Sequence, residues 1–300
     1  MKKKYLILIQ GPTAVGKTSA AISLADYFKT EIISSDSRQF YKELNIGVAR
    51  PSPEELAMAK HHFIAHISIH DYYSVSKFEK EVLAFLDVFF KQNDVVIMAG
   101  GSGLYNDVIC NGIDELPDPD PVLREALKKR LETEGQEALR QELKRLDPEF
   151  YEVVDLNNPK RVLRAVEVCL QTGKKYSALR SKPDVKRPFH IIKTGLELPR
   201  EILNERIHRR VDKMMEEGLE AEARGLFEYR YLNALNTVGY KELFRYFEGE
   251  WTLETAVEKI KTNTRRFAKR QMTWFRKDKE TQWFSPDNLQ ALIAHCESLM

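Results

Sequence analysis

Cysteine is scarce in the 300-residue sequence: Cys110, Cys169 and Cys296 stand far apart, and none belongs to a C-x-x-C pair. This excludes a disulfide framework and the common zinc-ligand spacings, and it places the chain in a reducing, cytoplasmic setting. Long apolar runs are also missing, so no segment reaches the length of a membrane span. The opening MKKKYLILIQGPT has the basic start of a secretory signal, but its apolar run is only Tyr5–Ile9 and leads straight into a glycine loop. It reads as a first strand rather than a leader. Nor does one charge dominate: 47 Lys and Arg against 45 Asp and Glu give a net charge of +2. The overall balance therefore argues for no polyanionic partner, and any such partner must be met by a local patch. There is no internal repeat and no low-complexity tract.

Apolar runs at Tyr5–Ile9, Glu31–Ser35, Val95–Ala99 and His190–Leu198 read as buried parallel strands, with helix-like segments between them. Strand, loop and helix in that order predict an α/β fold, with ligand at the carboxyl ends of the strands. The character changes after the proline-rich entry Pro117, Pro119 and Pro121, where a charged helical region runs to about Ser181. A polar stretch, SKPDVKRP, closes it before the next strand. The expected organisation is a core of residues 1–116 and 187–300 interrupted by a helical insertion at 117–186. From Arg200 to about Lys277 the chain reads as helices, followed by a less regular tail.

The clearest motif is GPTAVGKT, comprising Gly11, Pro12, Thr13, Ala14, Val15, Gly16, Lys17 and Thr18. Its glycines let the backbone turn successive N–H groups inward on phosphate oxygens. Lys17 adds a point charge, Thr18 offers a hydroxyl to magnesium, and the following helix presents its positive end. The strand before it and the helix after it give the context this motif requires. Phosphate binding does not by itself specify ATP. Hydrolases of this class carry a carboxylate at the end of an apolar strand, whereas the candidate VVIMAGGSGLY ends in Ala and Gly. The nearest strand-end carboxylate is instead Asp36, in IISSDSRQFY, which reads equally as a helix cap or turn residue or as a carboxylate placed to act on an acceptor rather than on a water.

Two helical segments are basic. NNPKRVLRAVEV places Arg161 and Arg164 three residues apart, with Lys160 beside them. From Lys259 to Lys279 there are nine Lys or Arg and one Asp, a local balance of +8. Lys261, Arg265 and Lys269 form one series at intervals of four, and Arg266 and Arg270 a second. Phe267, Trp274 and Phe275 interleave aromatic surface. Such a stripe suits a nucleic-acid backbone, with aromatics available for stacking. The alternative is a solvated helix face with Phe267, Met272 and Trp274 in the core.

GPTAVGKT, DSRQFYKELNIGVARPS, AGGSGLY, NNPKRVLRAVEV, VGYKEL and KRQMTWFR, in that order, resemble the bacterial tRNA dimethylallyltransferases (tRNA isopentenyltransferases) from about residue 7 to residue 276. The resemblance implies a P-loop NTPase-like α/β core with a helical insertion that contacts tRNA. It also implies transfer of a dimethylallyl group from dimethylallyl diphosphate to N6 of the adenine beside the anticodon (position 37). The P-loop would then hold the diphosphate of the prenyl donor, with magnesium at Thr18. Asp36 is implied as the general base, Thr13 as the residue near the bridging oxygen of the leaving group, and Arg210 as a diphosphate contact. The segments implied to touch tRNA are Asp36, Ser37, Arg38 and Gln39, with Ser102; Lys160, Arg161, Val162, Leu163 and Arg164; and Val238, Gly239, Tyr240 and Lys241. The last is Lys269, Arg270, Gln271, Met272, Thr273, Trp274, Phe275 and Arg276.

Three departures stand out. Ser102 replaces the family's usual threonine in GGTGLY, Val48 replaces a polar residue, and the segment between Leu226 and Val238 is divergent. The zinc-finger extension of the eukaryotic enzymes is absent from the sequence. The expected partners are the tRNA anticodon stem-loop and the prenyl donor, with no membrane, and the protein is expected to be a cytoplasmic monomer. Competing readings are an adenylate isopentenyltransferase, a P-loop small-molecule kinase, and a non-catalytic RNA-binding protein.

Overall fold

The computed structural model describes residues 2–180 and 185–300. Its contacts divide the chain into two units, one formed by Met1–Cys110 with Lys186–Met300 and the other by Asn111–Val185. Part of the SKPDVKRP stretch, residues 181–184, lies outside the described residues.

The first part of the chain runs β1 (Tyr5–Gln10), α1 (Lys17–Phe28), β2 (Ile32–Ser34), α2 (Pro53–Met58), β3 (His61–His62), α3 (Val75–Phe89), β4 (Val95–Gly100) and α4 (Gly103–Asn111). Five helices follow: α5 (Pro121–Thr133), α6 (Gly135–Leu146), α7 (Pro148–Val153), α8 (Pro159–Thr172) and α9 (Tyr176–Leu179). The chain then returns through β5 (His190–Leu196), α10 (Arg200–Glu216), α11 (Leu219–Gly225), α12 (Tyr240–Phe247), α13 (Leu253–Phe275), β6 (Gln282–Phe284) and α14 (Leu289–Ser298).

Among the described residues of the first unit, six strands form one parallel sheet in the order β3-β2-β4-β1-β5-β6. β1 is central: Tyr5–Gln10 pairs in register with Val95–Gly100 on one side and with His190–Gly195 on the other. Every residue of YLILIQ is buried, which is why the strand is a continuous apolar run rather than an alternating one. Ala20, Ala21, Leu24 and Ala25 of α1 share a core with Ile7, Ile9, Ile32 and Ile97. Their small side chains let the helix lie close over the sheet.

The four strands read from the sequence are present. The tail departs from expectation: it is regular, with β6 extending the sheet beside β5 and α14 burying Leu292, Ile293 and Cys296 in the same core. β3, only two residues long, is likewise invisible to pattern reading. Edge strands this short carry too few alternations for a period to show.

The second unit is helical. Leu127, Leu139, Leu143, Phe150, Val162, Leu163, Ala165 and Val166 form its core. Its helices begin where the sequence dictates. Asp120, Asp147 and Asn158 each accept a backbone N–H within the first turn, and each is followed by proline at the first helical position. Glu167 is fully buried, yet it is held by Arg124 through two contacts of 2.9 and 2.7 Å and by Arg164 at 2.7 Å. The pairing offsets the cost of burying its charge.

Candidate active site

Three loops meet at the carboxyl ends of adjacent strands: Gly11–Gly16 after β1, Ser35–Gln39 after β2 and Gly101–Ser102 after β4. This is where a parallel sheet collects its ligands. α1 starts at Lys17 behind Gly16, whose left-handed backbone (φ 107°) turns the loop into the helix. The Lys17 ammonium folds back over the loop, donating to the carbonyls of Gly11 at 3.0 Å and Pro12 at 2.8 Å. Arg206 of α10 braces the loop from outside by donating to the Val15 carbonyl at 3.1 Å. Sequence reading missed Arg206, although it sits one helical turn before Arg210 on the same helix.

Lys17, Asp36 and Arg210 form an electrostatic group. Burial lowers the Lys17 pKa to about 8; Asp36 opposes that shift and Arg210 adds to it. Burial also lowers the pKa of Arg210, with Asp36 and then Glu55 opposing. One carboxylate thus faces two desolvated cations, and the three lie close enough to perturb one another. Asp36 also accepts a hydrogen bond from the Arg38 N–H through Oδ1 at 3.0 Å. The turn role and the charged role therefore coexist. A carboxylate has acceptor capacity beyond one such bond.

The loop after β4 is fixed from two sides. The Ser102 hydroxyl accepts from the Ser37 N–H at 3.0 Å and donates to the Ser37 hydroxyl at 3.0 Å, tying it to the segment that carries Asp36. From the other side, α13 presses on its glycines. A Cβ at Gly101 would stand 2.5 Å from Gln271 Nε2, and one at Gly103 would stand 2.3 Å from the Trp274 ring. The Trp274 indole N–H donates to Asp107 Oδ2 at 2.9 Å. GGSGLY is glycine-rich here because neighbours lie directly on its backbone, Ser35 at Gly100 and the α13 side chains Gln271 and Trp274 at Gly101 and Gly103.

Several residues expected to face RNA have other partners. Arg38 donates to the carbonyls of Asn233 and Ala234 at 2.8 and 3.1 Å, and so anchors the divergent segment before Val238. Gln39 donates to the carbonyls of Val48 and Ala49 at 3.3 and 3.0 Å. Val48, where a polar residue is usual, packs against the apolar cluster around Tyr240. The Tyr240 side chain is fully buried, and its hydroxyl donates to Glu222 Oε1 at 2.6 Å. Glu222 in turn accepts from the N–H groups of Ile46 and Gly47 at 2.8 and 3.0 Å, a role the sequence did not signal. Gly239 is buried and donates to Glu242 Oε2 at 2.8 Å. Phe275 and Gln271 are buried on α13, and Val162 and Leu163 are buried in the second unit. Those side chains lie in the interior of their units. Arg164 is likewise engaged, with Glu167 and the Pro117 carbonyl at 2.7 and 2.6 Å.

The residues left at the surface are a subset. Lys160, Arg161 and Lys241 are exposed, and on α13 so are Arg266, Lys269, Arg270 and Thr273; Arg276, just past its end, is exposed and pairs with Glu197 at 3.0 Å. The basic stripe is split: Lys261 pairs with Asp212 at 2.8 Å and Glu258 at 3.0 Å, and Arg265 donates to His208 Nε2 at 2.9 Å. Phe267 is 40% exposed, against the reading that places it in the core. Trp274 is half-buried, with the Lys277 ammonium 5.0 Å from its ring centroid.

A cavity of about 1,020 Å³ adjoins the phosphate loop at Pro12. Leu198, Leu203, Ala268 and Met272 give it apolar walls, and Arg200, Arg265, Arg266, Lys269 and Arg276 give it cations. Lys17, Asp36 and Arg210 do not line it.

No helix among the described residues is long and apolar enough to cross a membrane. The sequence matches the model of the family described as IPP transferase over residues 39–278. It is 50% identical to tRNA dimethylallyltransferase 1 of Bacteroides fragilis, over 99% of both chains. Its fold superposes on the full-length tRNA isopentenylpyrophosphate transferase of Bacillus halodurans with a TM-score of 0.71 and 32% identity, covering 99% of this chain and 98% of that one. It also resembles a eukaryotic dimethylallyltransferase acting on tRNA, with a TM-score of 0.74, 29% identity, and coverage of 90% of this chain and 69% of that one. By its motifs, its fold and these likenesses, the chain belongs to the IPP transferase family.

Proposed function

We propose that the protein is a tRNA dimethylallyltransferase that moves the five-carbon group of dimethylallyl diphosphate onto N6 of the adenine beside the anticodon (position 37), releasing diphosphate. The observation that carries this reading is the grouping of Asp36 with Lys17 and Arg210 beside a phosphate loop, while β4 runs into Gly100 and Gly101 with no carboxylate at its end. A kinase or hydrolase needs an acid at that strand end to help hold its metal. A prenyl transferase needs cations for a leaving diphosphate and a base for an incoming amine.

In the step itself, the N6 lone pair attacks C1 of the dimethylallyl group. The C1–O bond breaks, and its electron pair stays on the diphosphate. The N6 proton passes to the Asp36 carboxylate. N6 is a weak nucleophile because its lone pair is conjugated with the ring. The barrier is therefore lowered chiefly by stabilising the departing anion, through Lys17, Arg210 and the N–H groups of the loop. Thr13 stands in that loop, where its hydroxyl would meet the bridging oxygen of the leaving group. The adenine must leave its stack to reach Asp36.

Among the described residues no three His, Cys, Asp or Glu side chains gather to hold a metal by themselves. Magnesium suits such a place, since it binds through few protein oxygens and completes its shell with phosphate and water. The Thr18 hydroxyl, in the first turn of α1, would hold it there. Bound magnesium supplies further charge neutralisation of the diphosphate.

Exposed Arg266, Lys269 and Arg270 of α13, Arg276 just after it, and Lys160 and Arg161 of the helical unit supply the cations for a tRNA backbone. The test is incubation with dimethylallyl diphosphate and unmodified tRNA, followed by nucleoside mass analysis. N6-isopentenyladenosine in the tRNA supports the reading. Efficient prenylation of free AMP would assign the chain to adenylate isopentenyltransfer, and phosphorylation of a small molecule by ATP without prenyl donor would make it a kinase.

A further inference from the structure

The carboxamide of Gln271 touches two of the three loops of the site. Its Oε1 accepts the Thr13 N–H at 2.9 Å, and its Nε2 donates to the Gly101 carbonyl at 2.8 Å. The side chain is 7% exposed, so both bonds lie away from water, where leaving either group unpaired is costly. A side-chain amide of this length can accept from one backbone group and donate to another; an ionised carboxylate lacks the donor and an ammonium lacks the acceptor. The fit is tight on both sides, since a Cβ at Gly101 would come within 2.5 Å of Nε2 and 3.6 Å of Lys17 Nζ.

The contact also uses up the Thr13 N–H, so that group is a fixed point of the loop and not one of its phosphate donors. One turn further along the same helix, Trp274 lies on Gly103. The outer face of this stretch carries exposed Lys269, Arg270, Thr273 and Arg276.

We propose that Gln271 is a positioning residue of the phosphate loop: it sets the backbone at Thr13 so that the Thr13 hydroxyl meets the diphosphate, and it does not contact RNA. The inference rests on the transferase reading for its catalytic consequence, but its binding consequence needs only an anion in the loop. Inorganic pyrophosphate is the probe.

The variants are Gln271→Met, which keeps the volume and removes both hydrogen bonds, and Gln271→Glu, which keeps the Thr13 acceptor and removes the Gly101 donor. Calorimetry should show pyrophosphate binding to Gln271→Met weakened about tenfold, as loss of a buried hydrogen bond implies. The rate at saturating tRNA should fall, while tRNA affinity stays within about twofold of wild type, since α13's outer cations are untouched. Gln271→Glu should bind pyrophosphate at least as weakly, because its carboxylate faces the Gly101 carbonyl and adds negative charge beside the anion site, and it should likewise leave tRNA affinity near wild type. Adding Thr13→Ala to Gln271→Met should cost no more than Thr13→Ala alone, because the two residues act as one unit. Lost tRNA affinity with intact pyrophosphate binding, or strictly additive losses in the double variant, would overturn the proposal. If Gln271→Met fails to fold, Gln271→Glu decides through the same two binding measurements. A wild-type protein that binds pyrophosphate but prenylates no tRNA would remove the transferase reading and leave the pyrophosphate comparison to judge Gln271.

Discussion

The Ser102 hydroxyl is bonded to Ser37 twice, accepting from its N–H and donating to its hydroxyl, each at 3.0 Å. Ser37 is the neighbour of Asp36, so the glycine-rich turn after β4 fixes the segment that carries Asp36. A threonine, the residue expected here from the family resemblance, keeps the same oxygen and adds only a methyl group. Ser102→Thr is expected to retain near wild-type turnover. Ser102→Ala leaves the Ser37 N–H without its acceptor, a loss on the order of 1 kcal/mol. Its kcat should fall several-fold, with tRNA affinity changed little. Steady-state kinetics of both variants checks this, and equal turnover by Ser102→Ala would show that the bond does not hold Asp36 in place.

On the proposed reading, Asp36 accepts the N6 proton. Asp36→Asn keeps an oxygen for the Arg38 N–H, so the turn should persist. General-base contributions run to about 10² to 10⁴ in rate, and transfer should fall by at least the lower figure. Binding of tRNA measured by filter retention should be nearly unchanged. Turnover within a fewfold of wild type would take the base role away from Asp36.

The parts of this site legible in the sequence are those whose residue types are dictated by the backbone they occupy. Gly11, Gly16 and Lys17 stand at fixed intervals because the loop demands them, and Asp36 is visible as a carboxylate at a strand end. Gln271 was legible only as part of a basic segment. Its true partner, Thr13, lies 258 residues away, and no local period records such a contact. The same holds for Phe275, which shares the buried face of α13 with Ala268 and Gln271 while Phe267 faces outward. Aromatics interleaved with cations look alike on either face until the packing partner is known. β3 and β6 were missed for a different reason: they exist because β2 and β5 offer edges to pair with, and their own two and three residues carry no pattern.

The basic stripe of α13 is divided by its partners, and this yields a contrast. Arg266 and Arg270 are exposed, whereas Lys261 is paired with Asp212 and Glu258. Reversing Arg266 and Arg270 to Glu should weaken tRNA binding about tenfold or more near physiological salt. It should also reduce the slope of log affinity against log salt by about 1 to 2, one increment for each lost phosphate contact. Lys261→Ala should leave both quantities near wild type. Titrations at several salt concentrations decide the matter, and an unchanged slope in the double reversal would return Arg266 and Arg270 to the role of a solvated face.

Lys17 gives the site a pH signature. Its pKa is lowered from 10.5 to about 8, chiefly by burial. Between those two values the unfolded chain holds a proton that the folded protein has released, so the unliganded fold gains stability as pH rises through that window. Donor binding runs the other way, because the diphosphate needs the ammonium. The quantity kcat/KM for dimethylallyl diphosphate, which reports the free enzyme, should decline above about pH 8 as Lys17 loses its charge. Lys17→Arg keeps a permanent charge but not the compact ammonium geometry. It should be slower at every pH and lack the alkaline limb. A wild-type profile that stays flat to about pH 9.5, well beyond the lowered value, would show that burial does not depress Lys17 as its contacts imply.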